Sequence, residues 1–164
     1  GDDGEIEKHK TAKLQLVNGV GSVKRPKRRQ EVYEKFKSLG YRFFSVIHPW
    51  SIISSRANLG EGVQIMGGVV INTGTRIEEN AIINTSASVD HDCVIWAHSH
   101  IAPGVILCGD VKIGRGCHIG TGAKVIQGIT IGDNVLVAAG EVVKRDIPAG
   151  ETVATGVFEP EKVQ

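Results

Sequence analysis

The sequence predicts a mainly β chain wound as a parallel β-helix, and two periodic features predict it. Every sixth residue from Ile47 to Val143 is Ile, Leu or Val. The residue four places after each is usually small or β-branched, as at Ala57, Val63, Thr75, Cys93, Ser99, Cys117 and Ile129. Two inward positions per six-residue side describe a narrow, filled prism rather than a helix bundle or an open sheet. Three sides make a coil of about 18 residues, so residues that far apart stack about 4.8 Å from each other along the axis. The repeat is long enough for roughly five coils over residues 47–146.

Before the repeat the pattern changes. Lys13 to Val20 alternates and reads as a strand, and Gly19 to Ser22 reads as a glycine turn. Pro26 opens a helix whose Val32, Phe36 and Leu39 share a face, and Gly40 stops it. Tyr41 to Ile47 is a second strand. Residues 1–46 thus read as a βαβ unit, too short for an independent α/β domain. After Val143, Pro148 and Gly150 break the rhythm, so residues 147–164 read as a cap and a tail.

Composition limits the function. A net charge of +1 over 164 residues gives no bias toward nucleic acid, and the chain shows no aromatic interleaving of its basic residues. No apolar run approaches the roughly 20 residues that span a bilayer. The charged opening GDDGEIEKHK is unlike a secretory signal, which suggests a cytoplasmic location. Cys93 and Cys117 face inward but do not stack, and Cys108 faces outward, so reduced thiols are expected rather than disulfides. The basic run Lys24, Arg25, Lys27, Arg28 and Arg29 lies at the helix start. It reads equally as a phosphate site or as a solvated helix end.

The chemistry gathers between Asn84 and His100, a stretch holding three of the six histidines. His91 sits two places after the inward Val89, so it faces out near a corner, and the residue stacked on it is Gly109. A glycine there leaves room beside the imidazole and exposes a backbone N–H, a suitable pocket for a carbonyl next to a base. Asp90 and Asp92 flank His91, and a carboxylate on one ring nitrogen raises the basicity of the other. The plainer reading is an exposed histidine between two acids. His100 and His118 also stack. They suit a metal, with His98 as a third ligand, or a ligand cleft, or a subunit contact. Trp96 stands where the repeat elsewhere carries Gly60, Gly114, Gly120 and Gly132, and an exposed indole there wants a subunit interface or a substrate cleft against it.

The blocks INTSASVDHDCVI, HSHIAPGVILCGDVKIG and VAAGEVVKRDIP closely resemble the hexapeptide-repeat acetyltransferases of bacterial surface sugars. The nearest group contains the sialic acid O-acetyltransferases and the N-acetyltransferases of UDP-linked 4-amino sugars, such as the bacillosamine pathway enzyme. The resemblance runs from about Lys13 to Gly156. It implies a left-handed β-helix, a homotrimer with sites in clefts between neighbouring prisms, and acetyl-CoA as donor to a sugar or sugar-nucleotide acceptor, without a metal. His91 matches the general base and Asp92 the acid that polarises it. His100 matches a residue lining the acetyl-CoA site, Gly109 the donor of a backbone N–H to the thioester carbonyl, and Thr121 and Ala139 backbone along the pantetheine arm. Asn84 faces the acceptor, and Gly21 and Ser22 belong to the surviving sugar-nucleotide turn, NGVGS. The family's opening strand and first glycine turn have no match, and Gly156-Val157-Phe158-Glu159 stands where its cap reads G-V-P-A.

Two other readings start from the same repeat. A zinc enzyme of the γ-carbonic-anhydrase kind needs two histidines five apart, which His91, His98, His100 and His118 do not supply. A non-catalytic scaffold or ice-binding face needs a threonine ladder, which Thr73, Thr75, Thr85 and Thr121 do not form.

Overall fold

The computed structural model describes residues 3–7, 9, 11, 14–22 and 27–154. Lys24, Arg25 and Pro26, and the stretch Gly156 to Glu159, lie outside them.

The chain opens with a short helix, α1 (Asp3–Glu7), and then makes the βαβ unit. Strand β1 (Gln15–Leu16) and strand β2 (Arg42–Phe43) pair in parallel across helix α2 (Lys27–Ser38). Both strands are shorter than the alternation predicted. The first ends at Leu16 because Asn18 turns to the β-helix, donating to Asn80 Oδ1 at 3.1 Å and accepting from Gln64 at 2.7 Å. The second divides: Arg42–Phe43 stays with β1, while Val46–Ile47 pairs with Gln64–Ile65 as the first rung of the solenoid.

Helix α2 buries Arg29, Tyr33 and Phe36, one stripe at helical spacing. This corrects the expected face. Val32 is only partly buried, and Leu39 lies past the last helical residue and is half exposed. Gly40 does stop the helix, at φ +85°. Tyr33 and Phe43 pack with ring centroids 4.5 Å apart, and Phe36 and Tyr41 complete a small second core.

From β3 (Val46–Ile47) to β20 (Thr152–Val153) the backbone lays down eighteen strands of two residues each. They form three parallel faces. The first has seven strands, the second six and the third five. Partners along each face are 18 residues apart, as in Ile83↔Ile101 and Val89↔Leu107. Seven strands on the first face mark about six turns of a left-handed β-helix, one more than the repeat length suggested.

The inward aliphatics are almost wholly shielded, with Ile65, Ile83, Ile95, Ile101, Leu107 and Ile113 at 0% exposure. Each corner is closed by a residue with positive φ, at every sixth position from Gly62 to Gly140. Glycine fills most corners, and Asn80, Ser86, Asp92, His98, Asp110 and Asn134 fill the rest, the short polar types that tolerate this conformation best, with histidine among them. The final turn is shorter. Leu136 pairs with Thr152 and Ile131 with Ile147, each 16 residues apart, and Asp146 Oδ1 accepts the Thr130 N–H at 2.8 Å in place of a ladder carbonyl. The strand rhythm therefore tightens beyond Val143 and continues to Val153.

The βαβ unit docks on the first face and on the corner between the third and first faces. Arg29 is 1% exposed and donates to the carbonyls of Asn18 (2.7 Å), Val20 (2.8 Å) and Asn80 (3.3 Å). It is a buried strut, so of the basic run only Lys27 and Arg28 among the described residues face solvent. Lys37 pairs with Glu61 at 2.9 Å, and Arg115 with Glu34 at 3.0 Å.

Candidate active site

His91 and Asp92 form the turn between the second and third faces, where the Ser88–Val89 strand ends and the Val94–Ile95 strand begins. Asp92 takes the left-handed corner position, φ 59°, which brings its carboxylate back to the ring of its neighbour. His91 Nδ1 lies 2.9 Å from Asp92 Oδ2. An ionised carboxylate only accepts, so Nδ1 carries the proton and Nε2 keeps its lone pair. That hydrogen bond, aided by the charges of Asp90, Asp92 and Asp110, raises the affinity of the imidazole for a proton. Both side chains are open, 48% and 65% exposed, so a reactant can reach Nε2.

Gly109 stands against the free edge of the imidazole. A Cβ there would lie 2.6 Å from both Cε1 and Nε2 of His91. Its N–H has no hydrogen-bond partner among the described residues, whereas the flanking Cys108 and Asp110 both donate to the next or previous coil. One coil below, Gly74 does for Asp92 what Gly109 does for His91, since a Cβ at Gly74 would collide with Asp92 Oδ1. Gly74 was missed in the sequence, although it lies 18 residues before Asp92 and the same stacking rule finds it.

The other expected residues sit elsewhere on the prism. His100 lies on the first face and is buried, its Nδ1 2.8 Å from Ser22 Oγ and 2.9 Å from Ser22 O. The amide of Asn84 is oriented by Thr85, whose N–H donates to Asn84 Oδ1 at 2.8 Å. Asn84 Nδ2 therefore donates to His100 Nε2 at 3.1 Å, and His100 is neutral with its proton on Nδ1 toward Ser22. Burial lowers its proton affinity further. Ser22 is turned inward to His100, while Gly21 is open to solvent with no atom within 4 Å of a Cβ built there. Thr121 and Ala139 are exposed at the corner between the first and second faces, the same corner as Asn84 but two and three coils further along. One chain thus carries His91, Asp92 and Gly109 at one edge of the second face and Asn84, His100, Thr121 and Ala139 beside the other.

The stacked pair His100 and His118 packs edge to face, centroids 4.9 Å apart. His98 does not join them. It closes the opposite corner of the first face, where Nδ1 meets Asn80 Nδ2 at 2.9 Å and Nε2 meets Arg115 at 2.7 Å. Burial and Arg115 push His98 down to about 4, and burial beside His100 does the same to His118. Among the described residues no three His, Cys, Asp or Glu are grouped to hold a metal ion. Cys93 and Cys117 are buried in the prism and pushed up to about 11, so neither is a thiolate. Trp96 is half-buried. The exposed indole is Trp50, 80% accessible in the first coil, where no coil lies beneath it.

A six-residue prism with an activated imidazole on its rim defines a hexapeptide-repeat transferase. A family model for bacterial transferase hexapeptide (six repeats) matches residues 110–144. The acetyltransferase domain of PglB from Neisseria gonorrhoeae FA1090 is 35% identical, the match covering 91% of this chain and 71% of that one, with a TM-score of 0.84. That domain is also known in complex with acetyl coenzyme A. PerB from Caulobacter crescentus, in complex with CoA and GDP-perosamine, is 42% identical over 79% of this chain and 63% of that one, with a TM-score of 0.77. WeeI from Acinetobacter baumannii AYE is 26% identical over 80% and 65%, with a TM-score of 0.64. The chain belongs to the hexapeptide-repeat sugar acetyltransferases and is an acyltransferase. None of its described helices is long and apolar enough to cross a membrane.

Proposed function

We propose that the protein transfers the acetyl group of acetyl-CoA to an amino or hydroxyl group of a nucleotide-linked sugar, with His91 as general base. The observation that carries this reading is the free Nε2 of His91, made basic by Asp92 and facing Gly109. In the reaction Nε2 accepts the acceptor's proton as its nitrogen or oxygen bonds to the thioester carbon. Charge on the carbonyl oxygen is met by a backbone N–H, for which Gly109 has one free. The C–S bond then breaks, and the imidazolium returns the proton to the leaving thiolate of CoA. Cys93 and Cys117 are buried in the prism, which supports direct transfer over an acyl-enzyme on either of them.

The relatives support donor and acceptor alike. The PglB domain binds acetyl coenzyme A and PerB binds CoA with GDP-perosamine, while the perosamine N-acetyltransferase from Caulobacter crescentus was also solved as a histidine-to-asparagine variant with CoA and GDP-perosamine. The division of residues across the second face supports a homotrimer, in which the His91 edge of one prism faces the Asn84 and His100 edge of the next. Thr121 and Ala139 then follow the pantetheine arm, and Gly21 with Ser22 borders the nucleotide. Three free cysteines suit a reducing, cytoplasmic setting.

The test is incubation with acetyl-CoA and a panel of GDP- and UDP-amino sugars, UDP-sugars, free amino sugars and sialic acid, with thiol release and product mass as readouts. A mass increase of one acetyl group on a nucleotide amino sugar is the expected result. Acetyl-CoA left intact with every acceptor overturns the reading.

A further inference from the structure

The base is braced from the coil beneath it. Asn72 lies 18 residues before Asp90, and the two strands that carry them are in register, Val70↔Ser88 and Ile71↔Val89. Asn72 Nδ2 donates to Asp90 Oδ1 at 2.9 Å, and the same oxygen accepts the backbone N–H of His91 at 2.8 Å. The carbonyl of Asp90 is held as well, by Thr75 Oγ1 at 2.8 Å. A single carboxylate oxygen therefore joins the lower coil to the peptide from which the imidazole hangs. These two hydrogen bonds also hold the Asp90 carboxyl below the usual carboxylate range, so it is ionised whenever the base works.

Nothing in the repeat asks for an asparagine at this place. Asn72 is exposed and outside the core, and the residues in the same column are Ser54, Asp90, Cys108, Ile126 and Lys144. An exposed hydrogen bond of this kind adds little to folding. Its geometric effect is larger, because a reacting group displaced by about 1 Å loses on the order of 100-fold in rate.

We infer that Asn72 is a positioning residue for the transfer step: by fixing Asp90 it fixes the His91 peptide and thereby the line along which Nε2 faces Gly109. The inference rests on the base role proposed for His91. Asn72 itself touches no reacting atom in this arrangement.

Three variants test it, each assayed for kcat and for KM of both substrates. Asn72→Ala lowers kcat about tenfold while both KM values and the melting temperature stay close to the parent. Asn72→Asp, which cannot donate and sets one carboxylate against another, loses at least as much. In an Asp90→Ala background the further change Asn72→Ala costs less than about twofold, because its target is already gone. An unchanged kcat, a loss confined to KM, or a full loss persisting in the Asp90→Ala background overturns the inference. A second readout stands apart from turnover. The charges that face the His91 ring are Asp90, Asp92 and Asp110. Releasing Asp90 in Asn72→Ala should lower the titration midpoint of His91 followed by NMR of its ring protons, and an unmoved midpoint overturns the inference. If no acceptor is ever acetylated, the proposed function fails, and the titration still decides the role of Asn72.

Discussion

Gly109 lies flush against the imidazole of His91, so close that a methyl group would stand 2.6 Å from its Nε2. Gly109→Ala must therefore push the ring aside or shift the coil. Gly109 is not among the positive-φ residues, so backbone conformation adds no penalty. Turnover is expected to fall about tenfold or more with little change in melting temperature, since a misplaced base is costly and a rim residue is not core. Parent activity in Gly109→Ala would show that the ring does not work from the position seen here.

His91→Ala is expected to lower turnover by about 100-fold or more, the usual worth of a general base, with the fold intact because His91 is half exposed. Thiol release and circular dichroism check the two halves of that statement. A parent-like rate would remove His91 from the chemistry.

Light scattering at micromolar concentration is expected to give three times the 17.5 kDa chain mass. A monomer that still turns over would show that the two edges of the second face never need to meet.

Acid should unfold the protein through its buried histidines. His98 has a folded value of about 4 against an ordinary value of 6.5, so the unfolded chain binds the extra proton between those limits. Stability from His98 is thus present above pH 6.5 and is lost as pH falls toward 4. His118 acts with the same sign over the same window, and His100 adds to it. His91 shifts the other way but is exposed and contributes little. Urea midpoints measured from pH 7 to 4.5 should fall, and should fall less steeply in His98→Asn, because asparagine accepts the φ of 63° at that corner and does not titrate. An identical pH slope in the variant would place the effect elsewhere.

The solenoid was legible because its core repeats without exception, and stacking turned that repeat into contacts. Residues 18 apart gave His91 against Gly109, and the same count contains Gly74 under Asp92 and Asn72 under Asp90. The βαβ unit was less legible. Its helix packs on a prism corner rather than on a broad sheet, so a guanidinium reaching three carbonyls, Arg29, occupies a place where periodicity expects an aliphatic. Trp96 was misread for a related reason. Exposure depends on which coils lie above and below, and Trp50 in the first coil has none beneath it.

The ladder also sets how this molecule can change length. His91, Asp92 and the residues that brace them occupy only three successive coils, from Asn72 through Asp92 to Gly109. Whole turns are interchangeable spacers to such a group, since adding or removing 18 residues beyond it preserves which side chains face in and which face out. An insertion of any other size shifts the later corners around the prism unless a turn absorbs it, as the 16-residue final turn does. Length in this fold is counted in coils, and the rim around His91 keeps its own geometry however many lie beyond it.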